Sequence, residues 1–349
     1  VERVSNGKGY WKANESTYMK FDAIVGNPPY QVMDGGAGVS AKPVYNAFVD
    51  ISKKLKPTYI SLIMPARWYA GGKGLDDFRE NMLHDKSISK LYDFFDATYV
   101  FPRIDLSGGI CYFLRDNNFD KGICKVTAMR NGNISCKNRK LLDDSGLFIR
   151  FNEAVSILEK VRSNYNNSAF FDSVVSSRKP FGVQTNDKIL KQEREDTLFI
   201  YAYPNNGYYP NQKIKTGREY INMYKVFISY AYGERGDFPY FVIGKPFIGE
   251  PQSICSETYL VISPNESEYY VNNVAKYLRC KFTRALILLK KNTQHATSKV
   301  YTLVPLQDFT SQSDINWSES IENIDQQLYR KYSLTPDEIA FIEKTIKAM

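Results

Sequence analysis

Over the first half of the chain, short apolar runs alternate with stretches whose apolar residues recur at helical spacing. FDAIVG reads as a short buried strand that stops at Gly26, and VYNAFVDISKKLKP places Val44, Phe48, Ile51 and Leu55 on one helical stripe before Pro57. YISLIMP predicts a second strand, ARWYAGGKG a glycine-broken loop and LDDFRENMLHD a helix. ISKLYDFF is then a third strand and GGICYFLRD, after the loop DATYVFPRIDLS, a fourth. Strands and helices that alternate in this way build parallel α/β sheets. Antiparallel strands, GICKVTAM among them, are expected to follow. GLFIRF (146–151) reads as a further strand-like run, and FNEAVSILEKVRS, with Val155, Leu158 and Val161 in phase, as the helix that closes a first domain.

From about Asn164 the texture changes. Tyr, Asn, Gly and Pro become frequent in FIYAYPNNGYYPNQ and YAYGERGDFPYFVIGKPF, which predicts short strands in an irregular α+β domain. VNNVAKYLRCKFTRALILLKK returns to helix. The tail reads as two helices joined at SLTP, where Ser333 or Thr335 caps the second over Pro336. The expected division is therefore 1–163 and 164–349, and 349 residues suffice for two domains.

Composition narrows the function classes. A net charge of +8, from 46 Lys and Arg against 38 Asp and Glu, favours a polyanionic partner without proving one. The 26 Tyr and 21 Phe suit contact with flat rings. Five scattered cysteines (Cys111, Cys124, Cys136, Cys255, Cys280) form no ligand or disulfide pattern, and His84 and His295 stand far apart, so neither a metal centre nor a histidine triad is expected. The sequence shows no membrane span or signal peptide, which makes the cytoplasm the default.

The chemistry concentrates at Asn27, Pro28, Pro29 and Tyr30, directly after the first apolar run. Two prolines remove two backbone donors and fix the chain, so the Pro28 carbonyl can stand outward as a rigid acceptor. The Asn27 side-chain oxygen adds a second acceptor, and Tyr30 adds a flat face. Such a cradle suits a planar amine, whose nitrogen becomes nucleophilic as accepted hydrogen bonds help it towards tetrahedral geometry. A plain turn is the structural alternative, since Asn-Pro and Pro-Pro both mark turns. Position at the end of a strand in an α/β pattern favours the ligand site.

With these residues in place, FDAIVGNPPYQ, IMPARWYAGGKGLDDFR, VFPRIDLSGGICYFL, GLFIRF and the tail DQQLYRKYSLTPDEIAFIEKTIKAM together resemble, in that order, gamma-class adenine-N6 DNA methyltransferases of the TaqI-like group in restriction-modification systems. The resemblance implies a partial Rossmann-like methyltransferase domain, a parallel sheet with helices, followed by a target-recognition domain. It implies that Asn27 and Pro28 accept from the target amine and that Tyr30 and Phe151 stack on an adenine flipped out of duplex DNA. A core phenylalanine is the alternative for Phe151.

The cofactor implied is S-adenosyl-L-methionine. Its main glycine loop precedes this motif in the gamma order, and neither NGKGYW nor VFISYAYGERG is a convincing substitute. The chain is accordingly expected to be the C-terminal part of a larger enzyme, with weak or absent cofactor binding. The glycines Gly71, Gly72 and Gly74, like Gly108 and Gly109, read as structural. Double-stranded DNA is the implied partner, with a restriction endonuclease or helicase region on the same or another chain as a further one.

Cations interleaved with aromatics and amides supply DNA-binding candidates: Arg178, Lys179, Lys213, Lys215, Arg218, Lys290, Lys291 and Lys299. Most single surface cations of this kind are simply solvated. Two other function classes fit the same tetrapeptide: an N-methyltransferase acting on RNA or a protein glutamine, and a non-catalytic DNA-specificity module.

Overall fold

The computed structural model describes residues 20–32, 42–72, 74–104, 106, 108–143, 146–164, 169–233, 238–291 and 293–349. The chain divides into two compact units, Val1–Val155 and Ser156–Met349.

In the first unit a six-stranded sheet runs in the order β1 (Ala23–Gly26), β4 (Tyr59–Pro65), β6 (Ile110–Asp116), β5 (Ile88–Phe94), β7 (Cys124–Arg130) and β8 (Asn133–Arg139). Strand β1 is parallel to β4, and β5 to β7. Strand β6 is antiparallel to both β4 and β5, and β8 is antiparallel to β7. Four strands therefore share one direction. A two-residue ladder, β2 (Gln31–Val32) with β3 (Lys42–Pro43), follows the Asn27–Tyr30 segment.

Helices α1 (Tyr45–Lys54) and α2 (Asp76–Leu83) contribute Tyr45, Val49, Phe78 and Met82 to a core shared with Ile60, Leu62, Met64, Leu91, Phe113 and Val126 from alternate strand positions. Each such side chain removed from water contributes roughly 1.5–3 kcal/mol before chain entropy is counted. The other sheet face carries Tyr92 and Tyr112, stacked at 4.5 Å across directly paired positions, and on β8 the exposed Cys136. The remaining four cysteines are buried thiols.

Five local expectations change. Strand β1 is not buried: it forms one edge of the described sheet, with Val25 77% exposed. Helix α1 turns Tyr45, Val49 and Ser52 inward and leaves Phe48 exposed, one position round from the predicted stripe. ARWYAGGKG opens as a 3₁₀ turn, Ala66–Ala70, that buries Trp68 and Tyr69. GGICYFLRD, the fourth strand of the expected parallel pattern, is β6 and antiparallel to both neighbours, while GICKVTAM is antiparallel to β8 as expected and parallel to β5. GLFIRF pairs with no strand among the described residues, because the Ile149 carbonyl accepts from the Arg139 side chain instead of a neighbouring backbone.

In the second unit, which begins within α3 (Ala154–Ser163), two small sheets form the β part. One has the order β10 (Gly207–Pro210), β9 (Thr197–Tyr201), β13 (Ser253–Cys255), and the other β12 (Phe247–Gly249), β11 (Tyr224–Ser229), β14 (Tyr259–Asn265). The second packs under α4 (Glu268–Arg279), α5 (Lys281–Lys290), α6 (Ile321–Lys331) and α7 (Pro336–Thr345), where Ile262, Val274, Leu286, Trp317 and Leu328 share one core.

The expected continuous helix over 271–291 is two. Cys280 adopts an extended backbone, and the Asp325 carboxylate accepts from the N–H groups of Lys281 and Phe282, both at 2.9 Å, capping α5 from a neighbouring helix. At the tail, Thr335 caps α7 over Pro336 in a reciprocal box with Glu338, as the sequence predicts.

Candidate active site

Strands β1, β4, β5 and β7 point the same way, so their C-terminal ends lie along one sheet edge, where α/β folds collect ligand-binding groups. The segment after β1 is Asn27–Tyr30. Asn27 and Pro29 are exposed, Pro28 is buried and Tyr30 is half-buried. No described residue donates to the Pro28 carbonyl. The Tyr30 carbonyl is used: it accepts from the Val44 N–H at 3.2 Å, which pins the exit of the motif against the start of α1. The first carbonyl of the diproline is thus available while the chain on either side is held by ladders.

Behind this segment lies a buried group of hydroxyls around Cys111. The Tyr30, Tyr45 and Tyr69 hydroxyls are enclosed without a hydrogen-bond partner of good geometry. Burial raises the Tyr30 phenol above its ordinary range, the Cys111 thiol raises it further, and the nearby Asn27 amide pulls the other way. Cys111 is itself pushed up to about 12, mainly by burial, although Trp68 Nε1 donates to its sulfur at 3.3 Å. These groups stay neutral at physiological pH, so they supply shape and polarity and no base.

Further along the same edge, Arg150 ties four segments together. Its Nε and Nη2 donate to the buried Asp93 carboxylate at 2.8 and 2.6 Å, and its Nη1 to the Gly108 carbonyl at 2.9 Å. The guanidinium lies 4.0 Å from the Phe95 ring centre and 5.3 Å from that of Tyr69. Phe151, next in sequence, packs on Phe95 at 5.1 Å with Arg130 at 4.6 Å over its ring, and is 8% exposed. Strands β1 and β5 are three spacings apart in the sheet, about 14 Å at backbone level. Gly109 enters β6 so closely that a Cβ there would lie 2.0 Å from the Phe94 carbonyl oxygen, which requires glycine.

Asp93, Phe95, Arg130 and Arg150 were not singled out by the sequence. The available signal was an acidic residue flanked by aromatics in ISKLYDFF and a lone basic residue in the apolar run GLFIRF.

Residues 2–101 match the Eco57I restriction-modification methylase family. An uncharacterized adenine-specific methylase of Mycoplasma pneumoniae is 37% identical over 115 residues, 32% of this chain and 27% of that protein. The resemblance to adenine-specific restriction-modification methylases is borne out.

Solved structures similar in fold include the type IIG restriction endonuclease BpuSI (12% identity, TM-score 0.39, covering 93% of this chain and 54% of that one). The type IIL restriction-modification enzyme MmeI, solved in complex with DNA, is 9% identical with a TM-score of 0.47, covering 93% and 56%. The chain spans little more than half the length of these enzymes and matches about a quarter of the curated relative.

Methylases generally use S-adenosylmethionine as donor, and two of the glycine stretches weighed for it can be placed. The Gly71–Gly72 turn after β4 is filled by the protein itself: the Gly72 N–H donates to Asp76 Oδ1 at 2.7 Å. The candidate VFISYAYGERG is an antiparallel strand, β11, whose GERG portion lies partly outside the described residues, as NGKGYW does entirely.

The DNA-binding candidates fall in the second unit. Arg178 and Lys179 both meet Glu257, at 3.0 and 3.5 Å, and Arg178 also covers the Tyr230 ring at 4.8 Å. Arg218 donates to the Asn211 and Ile214 carbonyls, bracing the turn that displays exposed Lys213 and Lys215. Lys291 donates to the Tyr232 carbonyl at 2.8 Å, Lys290 is half-buried and Lys299 is exposed. Among the described residues no group of side chains could hold a metal ion, and no helix is long and apolar enough to cross a membrane.

Proposed function

We propose that this chain carries the target-amine part of an adenine-N6 DNA methyltransferase of a restriction-modification system, with S-adenosylmethionine as methyl donor. The observation that carries the reading is the placement of exposed Asn27, followed by a Pro28 carbonyl to which no described residue donates, directly after a parallel strand. Both oxygens accept hydrogen bonds from the exocyclic amine. That draws the nitrogen lone pair out of conjugation with the ring as the amine attacks the donor's methyl carbon; the carbon–sulfur bond breaks, a neutral thioether leaves, and the amine proton is lost to solvent after transfer.

The Tyr30 ring stacks on the extruded base. Flipping is needed because the amine is out of reach inside a stacked duplex. Phe151, wedged between Phe95 and Arg130, provides the second aromatic wall. Lys213, Lys215 and Lys299 of the second unit contact phosphates, whereas Arg178, Lys179 and Arg218 shape the surface that carries them.

The test expresses the complete protein in a host without N6-methyladenine and maps modified bases across its genome. N6-methyladenine at one recurring sequence, lost in the Asn27→Ala variant, is the expected result. Methylation found only on RNA or protein glutamine, or no methyl transfer at all, overturns the proposal.

A further inference from the structure

The first unit holds a cavity of about 440 Å³ that no part of the proposed methyl transfer uses. It is lined by Leu83, Ile88, Cys124, Leu141 and Leu142, and by His84, Asp85, Lys86, Asp120, Lys121, Gly122 and Lys140. These residues lie where β5 and β7 begin, the end of the sheet opposite to Asn27–Tyr30. The volume falls in the range of small-molecule sites, which join an apolar floor to a few convergent polar groups.

The charges do not balance. Asp85 is already neutralised by Lys53 and Arg115, each at 2.8 Å, and these two cations lower its carboxyl despite the opposing effect of burial. Lys86, Lys121 and Lys140 have no ion-pair partner among the described residues. Three exposed lysines therefore border the cavity with one unpaired carboxylate, Asp120. Crowding like charges around a concave, partly apolar wall raises the local potential for anions.

The arrangement is also braced. The Lys86 stem lies 3.6 Å from where a Gly122 Cβ would stand, and the Gly122 N–H donates to the Lys86 carbonyl at 3.4 Å, so the two loops that carry the lysines are joined. No Phe, Tyr or Trp lines the cavity, and His84 is its one aromatic ring.

We infer that this cavity binds a small, multiply charged organic anion with an aliphatic body, a polycarboxylate or an organic phosphate, held by Lys86, Lys121 and Lys140 over the leucine floor. The inference is independent of the proposed methyl transfer.

Calorimetric titration of the purified chain with citrate, and separately with pyrophosphate, in low-salt buffer tests it. Saturable one-site binding of either probe is expected, together with a saturable shift of the Gly122 amide resonance. Affinity falls by roughly tenfold or more in the Lys86→Gln, Lys121→Gln, Lys140→Gln variant, as loss of charge-assisted contacts demands. An unchanged melting curve in that variant separates lost binding from lost fold. Citrate alone binding assigns a polycarboxylate, and pyrophosphate alone a phosphate ester. Absence of saturable binding by both probes, affinity unaltered in the variant, or displacement of the probe by duplex DNA overturns the assignment.

Discussion

Arg150 and Asp93 form a two-point ion pair, 2.8 and 2.6 Å, in which the carboxylate side chain is fully buried. The pair links the end of β5 to the segment that carries Phe151. Removing only the arginine strands a desolvated carboxylate, so Arg150→Met is expected to cost about 3–5 kcal/mol in urea denaturation. Adding Asp93→Leu to that variant recovers much of the loss. A double-variant cost equal to the sum of the Arg150→Met and Asp93→Leu costs would show that the two groups are not coupled.

At the proposed acceptor pair, Asn27→Ala removes one oxygen that strengthens its contact as the amine becomes tetrahedral. A roughly hundred- to thousandfold fall in methyl transfer is expected, the usual scale for deleting one transition-state hydrogen-bonding group. The rate constant at saturating DNA should carry most of the fall, with duplex affinity little changed.

Tyr30→Phe separates ring from hydroxyl. That hydroxyl is enclosed with no hydrogen bond of good geometry, so deleting it should change stability by less than about 1 kcal/mol, with methyl transfer retained. Tyr30→Ala should lose activity. Inactive Tyr30→Phe enzyme of normal stability would instead assign the hydroxyl a chemical role.

Asp325 gives the second unit a pH signature. Burial pushes its carboxyl up to about 6 from an ordinary 3.8, against the pull of the Phe282 and Lys281 N–H groups. The folded state then holds a proton that the unfolded state has released. Between about pH 4 and 6 this group's contribution to stability therefore falls as pH rises, and it is flat above that. Relative to Asp325→Asn, the wild-type chain should lose on the order of 3 kcal/mol between pH 4 and pH 7 in parallel denaturation series. A difference that does not vary with pH would contradict this account.

Thr335 caps α7, and its partner Glu338 also meets Lys160 of α3 at 2.7 Å. Thr335→Ala should cost about 1 kcal/mol and Thr335→Ser much less, by thermal or urea unfolding.

What could be read in advance follows the physics of each segment. YISLIMP, ISKLYDFF and GGICYFLRD were legible because a central strand needs an apolar run long enough to cross the sheet, and SLTPDE was legible because a cap is a local bond. The position of β6 between β4 and β5 was not, since strand order depends on contacts distant in sequence. Phe48 misled because an exposed phenylalanine on α1 fits the same spacing as a buried one. GLFIRF failed as a strand because Arg139 and Arg150 satisfy its surroundings through side chains, which no periodicity records. Asn27–Tyr30 stood out because two successive prolines have few structural uses at a strand end. The lysine-lined cavity gave no signal at all: Lys86, Lys121 and Lys140 meet only after folding.

The five thiols are unequally placed: four lie inside, and Cys136 faces solvent on the outer side of β8. A maleimide dye or nitroxide should therefore attach at one defined point of the unmodified protein. Distances measured from that point to a labelled duplex would locate bound DNA without any engineered residue.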